Sequence, residues 1–366
     1  MAAAMTETTT LKHLNVPPKQ TWNYLKINDT SLTVIKPKEQ GEVFARLPEM
    51  FGRIESGIGP EAVKWIENMA GDSHYIEVPA HRPTDRPIVV DCDADKTDIK
   101  DTGIIVRNHA NATIVMLSHG KQGSKDTSAN LLRIYAEHDA HVSVVEIMAL
   151  PEEQQHIEGL AIDAQQNSRI EVRQYALGGG NVVAGLATNL AQDRARLDLV
   201  SRYFVRGHEK LDLNHVARQR GCDTKVEMSA SGLLTDSAQK TLRETIDLIH
   251  GGKGSKGNEL ETVLVEGDHI VNKTLPVILC DEEDVQGNHG ASIGSIGPEQ
   301  TEYLATRGLA GKQVSQLFAT ALFDDALIHA PEAASQKAVG VRASDVLGER
   351  AFEDSREGLA LEKEGE

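Results

Sequence analysis

The residue in this chain best suited to metal or proton chemistry is His289. It lies between Asn288 and Gly290, with Gly287 and Gly294 close by, and such small neighbours let the backbone approach another surface closely. An imidazole so placed can tie down a corner by hydrogen bonds or, near neutral pH, bind a metal or pass a proton. Of the three cysteines, Cys92, Cys222 and Cys280, the last is nearest to His289 in sequence and is the second candidate ligand. Cys222 reads as a small buried hydrophobe. His138 and His141 flank Asp139, a grouping that could hold a metal, but it falls at a corner of the repeat described below, where polar side chains are ordinary. Two glycine- and lysine-rich stretches, 119–125 and 251–257, lack the Gly-x-x-x-x-Gly-Lys-Ser/Thr spacing that wraps a phosphate. Both read as solvated loops, the second as a flexible excursion between coils, and no nucleotide is expected in this chain.

The elements that position His289 can be read locally. Residues 277–280 are an apolar, strand-like run opened by Pro276, at a position where a strand tolerates proline. The acidic residues 281–284 supply a turn, and His289 is expected in a second turn. Gly297-Pro298-Glu299 starts a helix, with proline in its first turn and an acid near its positive end. Arg307-Gly308 stops it.

Glu283-Asp284-Val285, His289-Gly290-Ala291-Ser292 and Tyr303-Leu304-Ala305-Thr306-Arg307-Gly308 together resemble the SufB/SufD family of SUF iron-sulfur cluster assembly scaffolds, in a SufD-like form. Trp22 and Tyr24 are similar to that family's amino-terminal aromatic motif, with Asn23 in place of its arginine. The family's frequent cysteine falls here on Gly287 and its serine on Asn288. The resemblance implies a right-handed parallel β-helix, a non-catalytic scaffold role, a nascent Fe-S cluster as transient cargo, a separate SufC-type ABC ATPase, and a SufB-like subunit or second copy as partner. It also implies that His289, and less so Cys280, acts at the subunit interface, with missing thiolates supplied by the partner.

A repeat supports the same architecture. Five segments, centred on Ile114, Val142, Ile170, Leu197 and Val226, each carry a small residue, a spacer and two apolar residues two apart. They advance by 28, 28, 27 and 29 residues (142−114, 170−142, 197−170, 226−197). Alternation places the five on one strand face, with intervening residues, polar except Val115, facing outward. Such strands bury their apolar side only by stacking coil on coil. Aromatics are 4% of the chain, as suits a narrow interior filled by aliphatic side chains.

The expected organisation is a mixed amino-terminal segment (1–90), a β-helix core (91–297), a helical segment (298–345) and an acidic, fraying tail (346–366). In the helical segment Val314, Leu317, Phe318, Ala321 and Leu322 form one apolar stripe. With Tyr303 and Leu304, the residues Val314, Leu317 and Phe318 are the candidate docking surface that the resemblance implies for SufC. The formal net charge of −17 and the lack of a sustained basic patch argue against nucleic-acid binding. The scattered cysteines fit a reducing compartment. No apolar run approaches the ~20 residues needed to span a bilayer, so a soluble, cytoplasmic protein is expected. Competing readings are a β-helix carbohydrate-active enzyme, disfavoured because Trp22 and Trp65 both lie outside the repeat, and a purely structural coil-to-coil assembly protein.

Overall fold

The computed structural model describes residues 7–37, 43–96, 98–121, 127–309 and 312–349. Its centre is a parallel β-solenoid made of two eight-stranded sheets whose strands alternate along the chain. The front sheet runs from His74–Val78 to Val271–Cys280, and the rear sheet from Ile88–Asp93 to Gln286–Gly294. The stack therefore begins ahead of residue 91. Every strand pair within these sheets is parallel, which is why near-continuous apolar runs such as Val142–Leu150 occur: interior and exterior faces are both covered.

The register refines the repeat. Val142, Ile170, Leu197 and Val226 pair in one column. Ile114, however, pairs with Val144, and Ala112 occupies the column of Val142. A displacement of two residues preserves the strand face, so Ile114 is still fully buried. The true advance between these coils is 30 residues (142−112).

Corners explain the small residues. Ala110, Ala140, Ser168, Ala195 and Thr224 are buried, and each follows a non-glycine residue in the left-handed region: His109, Asp139, Asn167, Arg194 and Asp223, with φ between 56° and 61°. That conformation is costly for side chains other than Asn and Asp. It is held by coil-to-coil hydrogen bonds from the amides of Asp139, Asn167, Arg194 and Asp223 to the carbonyls of Gln166, Asp193, Cys222 and Lys253. Gly254, with φ 75°, continues this column, donating to the Asp284 carbonyl at 2.7 Å. The stretch 251–257 is thus a regular corner that runs into the strand Lys256–Glu266, and not an excursion.

Both outer faces are covered. On the front, the antiparallel pair Thr8–Leu14 and Thr30–Ile35 and helix α1 (Pro60–Met69) bury Leu11, Leu32, Trp65 and Ile66 against Ala129, Leu131 and Ile157. The approach is so close that a Cβ on Gly185 would lie 2.4 Å from the Ile58 nitrogen. After α2 (Pro298–Thr306), helices α3 (Lys312–His329) and α4 (Ala333–Leu347) lie on the rear sheet. Their Phe323, Leu327 and Val339 pack on Val115, Leu117, Ile147 and Phe204. Val115, the apolar exception among the outward residues, lies beneath these helices. Arg342 on α4 reaches in to ion-pair with buried Glu209 at 2.7 Å. Residues 350–366, most of the expected acidic tail, lie outside the described residues.

Candidate functional site: the last coil

The front and rear sheets end on Val271–Cys280 and Gln286–Gly294, and nothing among the described residues pairs with their outer edges. His289 lies in the second of these strands, not in a turn. Glycine, asparagine and histidine suggest a turn locally, but the ladder to Lys256–Leu264 holds the backbone extended. Its side chain is 50% exposed.

Its position in the stack is informative. One inward column runs Ile114, Val144, Val172, Leu199, Met228, Glu259, His289. The neighbouring column, Ala112 to Val226, ends on Gly257 and Gly287. Five coils of aliphatic packing therefore give way, in the last two, to an acid, a histidine and two missing side chains.

Beneath His289, whose Nδ1 lies 3.6 Å from Glu259 Oε1, the Glu259 side chain is 1% exposed. Neither of its carboxylate oxygens has a hydrogen-bond partner of good geometry among the described residues. Burial, reinforced by the negative charge of Glu244, pushes this carboxyl up to about 9, with only weak compensation from the Val277 amide. Behind it the interior stays polar. His215 Nδ1 lies 3.2 Å from Glu244 Oε1, and its Nε2 lies 3.0 Å from Gln174 Oε1. Gln174 in turn donates to Glu146 at 3.0 Å. Deeper still, His156 bonds Glu158. Burial raises the Glu146 and Glu158 carboxyls and drives His156 down to about 3. A second group joins Lys240, Glu261, Thr274 and Tyr203, the Tyr203 hydroxyl donating to Glu261 at 2.6 Å. Unpaired carboxylates in such a place would be costly.

Glu259 escaped the sequence reading because the repeat was followed only as far as Val226. Two further advances, of 31 and 30 residues (257−226 and 287−257), would have placed it under His289. Cys280 is exposed at the end of its strand, and its thiol donates to the Glu282 carbonyl at 3.2 Å. No hydrogen bond joins it to His289 among the described residues. Cys222 is half-buried and Cys92 fully buried.

Residues 89–322, well over half of the chain, match the family described as SUF system FeS cluster assembly, SufBD core domain. The chain belongs to the SufBD core family. It is also similar to the iron-sulfur cluster assembly protein SufD of Bacillus subtilis, 24% identical over 152 residues, covering 42% of this chain and 35% of that protein. An iron-sulfur cluster assembly SufBD family protein of Methanocaldococcus jannaschii is 22% identical over 136 residues, 37% of this chain and 42% of the relative. The chain thus aligns with less than half the length of either relative. The SufBD match includes the last coil and most of α3.

As cargo, an iron-sulfur cluster fits this coil only in part. Thiolates and imidazoles are the usual donors, and this strand offers one imidazole. Position 287, two residues away on the same inward face, has no side chain; a Cβ there would lie 3.1 Å from Ile278 Cγ2. The orphaned Glu259 carboxyl suits a cation or a shared proton at His289.

The docking candidates divide. Tyr303 is 58% exposed, Leu317 53% and Phe318 45%. Leu304 is half-buried and Val314 buried. The face of α3 that seats on the rear sheet is instead Ala319, Phe323, Ala326 and Leu327. Helix α3 is therefore apolar on two sides, one of them uncovered.

Proposed function

We propose that this chain is a non-catalytic, cytoplasmic scaffold subunit of a SUF iron-sulfur cluster assembly complex. Its last coil pairs with a SufB-like subunit or a second copy of itself, and a SufC-type ATPase docks on α2 and α3 and performs the nucleotide hydrolysis. A nascent cluster passes through the interface as cargo, with His289 as ligand or proton donor and Cys280 as a weaker candidate. No helix among the described residues is long and apolar enough to cross a membrane.

The observation that carries this reading is the chemistry of the open rear strand. Exposed edge strands are ordinarily blunted by charge or proline. The front terminal strand follows this practice with Lys273 and Pro276. The rear one, Gln286–Gly294, contains neither proline nor any Lys, Arg, Asp or Glu, and its Ile293 is 56% exposed. An uncharged, unprotected edge suits strand addition from another subunit. With no tryptophan in the solenoid strands, a polysaccharide groove lacks its usual platform.

Co-expression with a SufB-like subunit and a SufC-type ATPase, followed by native mass measurement, tests the pairing. Ile293→Lys should abolish the scaffold pair, or the homodimer, while retaining the ATPase. A pair of undiminished stability in that variant would place the interface elsewhere.

A further inference from the structure

Toward the opposite end of the stack, two successive coils bring two imidazoles and a carboxylate to one corner. His109 Nδ1 lies 3.8 Å and His138 Nδ1 3.0 Å from the same oxygen, Oδ2 of Asp139. The ligand atoms of these residues all lie within 4.8 Å of one another, and this is the one such group of three found among the described residues. We propose that His109, His138 and Asp139 form a binding site for a divalent first-row transition ion of the zinc, cobalt or nickel kind.

The site is built from the backbone outward. Stacking fixes its frame, since the His109 amide donates to the His138 carbonyl at 3.2 Å. Asn167, one coil on, bonds the other oxygen of Asp139, orienting the carboxylate as outer partners of metal ligands do and leaving Oδ2 to face the histidines. That bond and the one from His138 hold the Asp139 carboxyl below its ordinary range. In a tetrahedral zinc site, bonds of 2.0–2.1 Å place ligand atoms ~3.3 Å apart, and small side-chain rotations reach this from the present spacing. A fourth position is open to water or to His81, whose ring stacks on His109 at 4.9 Å.

Two nitrogens and one oxygen favour borderline transition ions over calcium or magnesium. The corner itself does not require histidine. At the equivalent left-handed positions Asn167, Arg194, Asp223 and Gly254 make the same turn, and Gln166, Asp193, Cys222 and Lys253 stand where His138 does. A structural role alone therefore leaves the meeting of these side chains unexplained.

The test is calorimetric titration of the untagged full chain with Zn²⁺, and with Co²⁺ followed by its visible absorption. Wild type should bind one equivalent saturably at this corner, and His289→Ala should bind it equally well. Asp139→Asn and His109→Asn, both tolerated in the left-handed conformation, should each weaken binding at least about tenfold, and His109→Asn combined with His138→Ala should abolish it. Melting curves establish that each variant is folded; Asp139→Asn, the nearest isostere, decides the matter if the double variant does not fold. Absence of saturable binding in wild type, or wild-type affinity in folded Asp139→Asn, overturns the proposal.

Discussion

The middle coils and the last coil share one backbone geometry and use it in opposite ways. In the middle, the inward column reads Val144, Val172, Leu199, Met228 and is closed by neighbours on both sides. At the end it reads Glu259, His289 and is closed on one side only. Equivalent positions thus do different work: this column is apolar where coils cover it on both sides, and the constraint relaxes where stacking stops. What replaces it at the end is a half-exposed imidazole over a buried carboxyl, whereas the imidazole–carboxyl pairs of the middle coils, His156–Glu158 and His215–Glu244, are sealed from solvent.

The contrast is sharpest under substitution by a charge. Ile170→Asp places an unpaired carboxylate between two covering coils. The penalty is several kcal/mol against a total stability of ~5–15 kcal/mol, so the domain should unfold or aggregate. His289→Asp, in the terminal coil, should leave a folded protein. Thermal melts of the two variants check this, and comparable losses would erase the distinction between middle and end.

Next in size is the effect on partner capture. Because helix docking depends on a few desolvated apolar anchors, Leu317→Asp with Phe318→Asp should abolish co-purification of a SufC-type ATPase with little change in melting temperature. Phe323→Asp, on the seated face of the same helix, should instead destabilise the fold. Deleting everything from residue 298 is a poor test, because it would strip α3 and α4 from Val115, Leu117 and Phe204 and leave Glu209 without Arg342. Retention of the ATPase by the folded double variant would dissociate docking from this surface.

A smaller effect follows from Glu259. Its carboxyl loses its proton near pH 4.5 when unfolded and at about 9 when folded, so between these values the native state binds more protons. Stability contributed by the neutral form is present at low pH and is lost as pH rises toward 9, with a slope of up to about 1.4 kcal/mol per pH unit. Glu259→Gln should make the isolated chain more stable near pH 8 and flatten its pH dependence. Urea melts at several pH values measure it; Glu146 and Glu158 retain part of the slope in both proteins. The slightest effect is expected from Cys280→Ala, whose exposed thiol donates to the Glu282 carbonyl in its own turn.

The contrast between middle and end also marks what could be read from residues alone. Val142, Ile170, Leu197 and Val226 declare themselves because aliphatic side chains at even spacing have one solution, stacking. Ile114 joined them by coincidence, two residues out of register, because Ala112 is too small to signal its own place. Gly257 and Gly287 carry no side chain, so the repeat fades where the functional end begins. His289 was found through its neighbours, while Glu259 stayed hidden as one charged residue among many in Lys256–Glu266. The exposure of Leu317 and Phe318 was illegible for a different reason: α3 is apolar on two faces, and only packing decides which one is seated.

The central claim is that the end of the solenoid, rather than its core, carries the chemistry. It is tested most directly by anaerobic reconstitution with iron and sulfide of the complex with its partner scaffold and ATPase, comparing wild type with His289→Ala by absorbance and iron content. The account predicts an intact, folded complex whose cluster yield falls severalfold in the variant. Full cluster assembly by His289→Ala would contradict it and leave this histidine a structural residue of an edge strand.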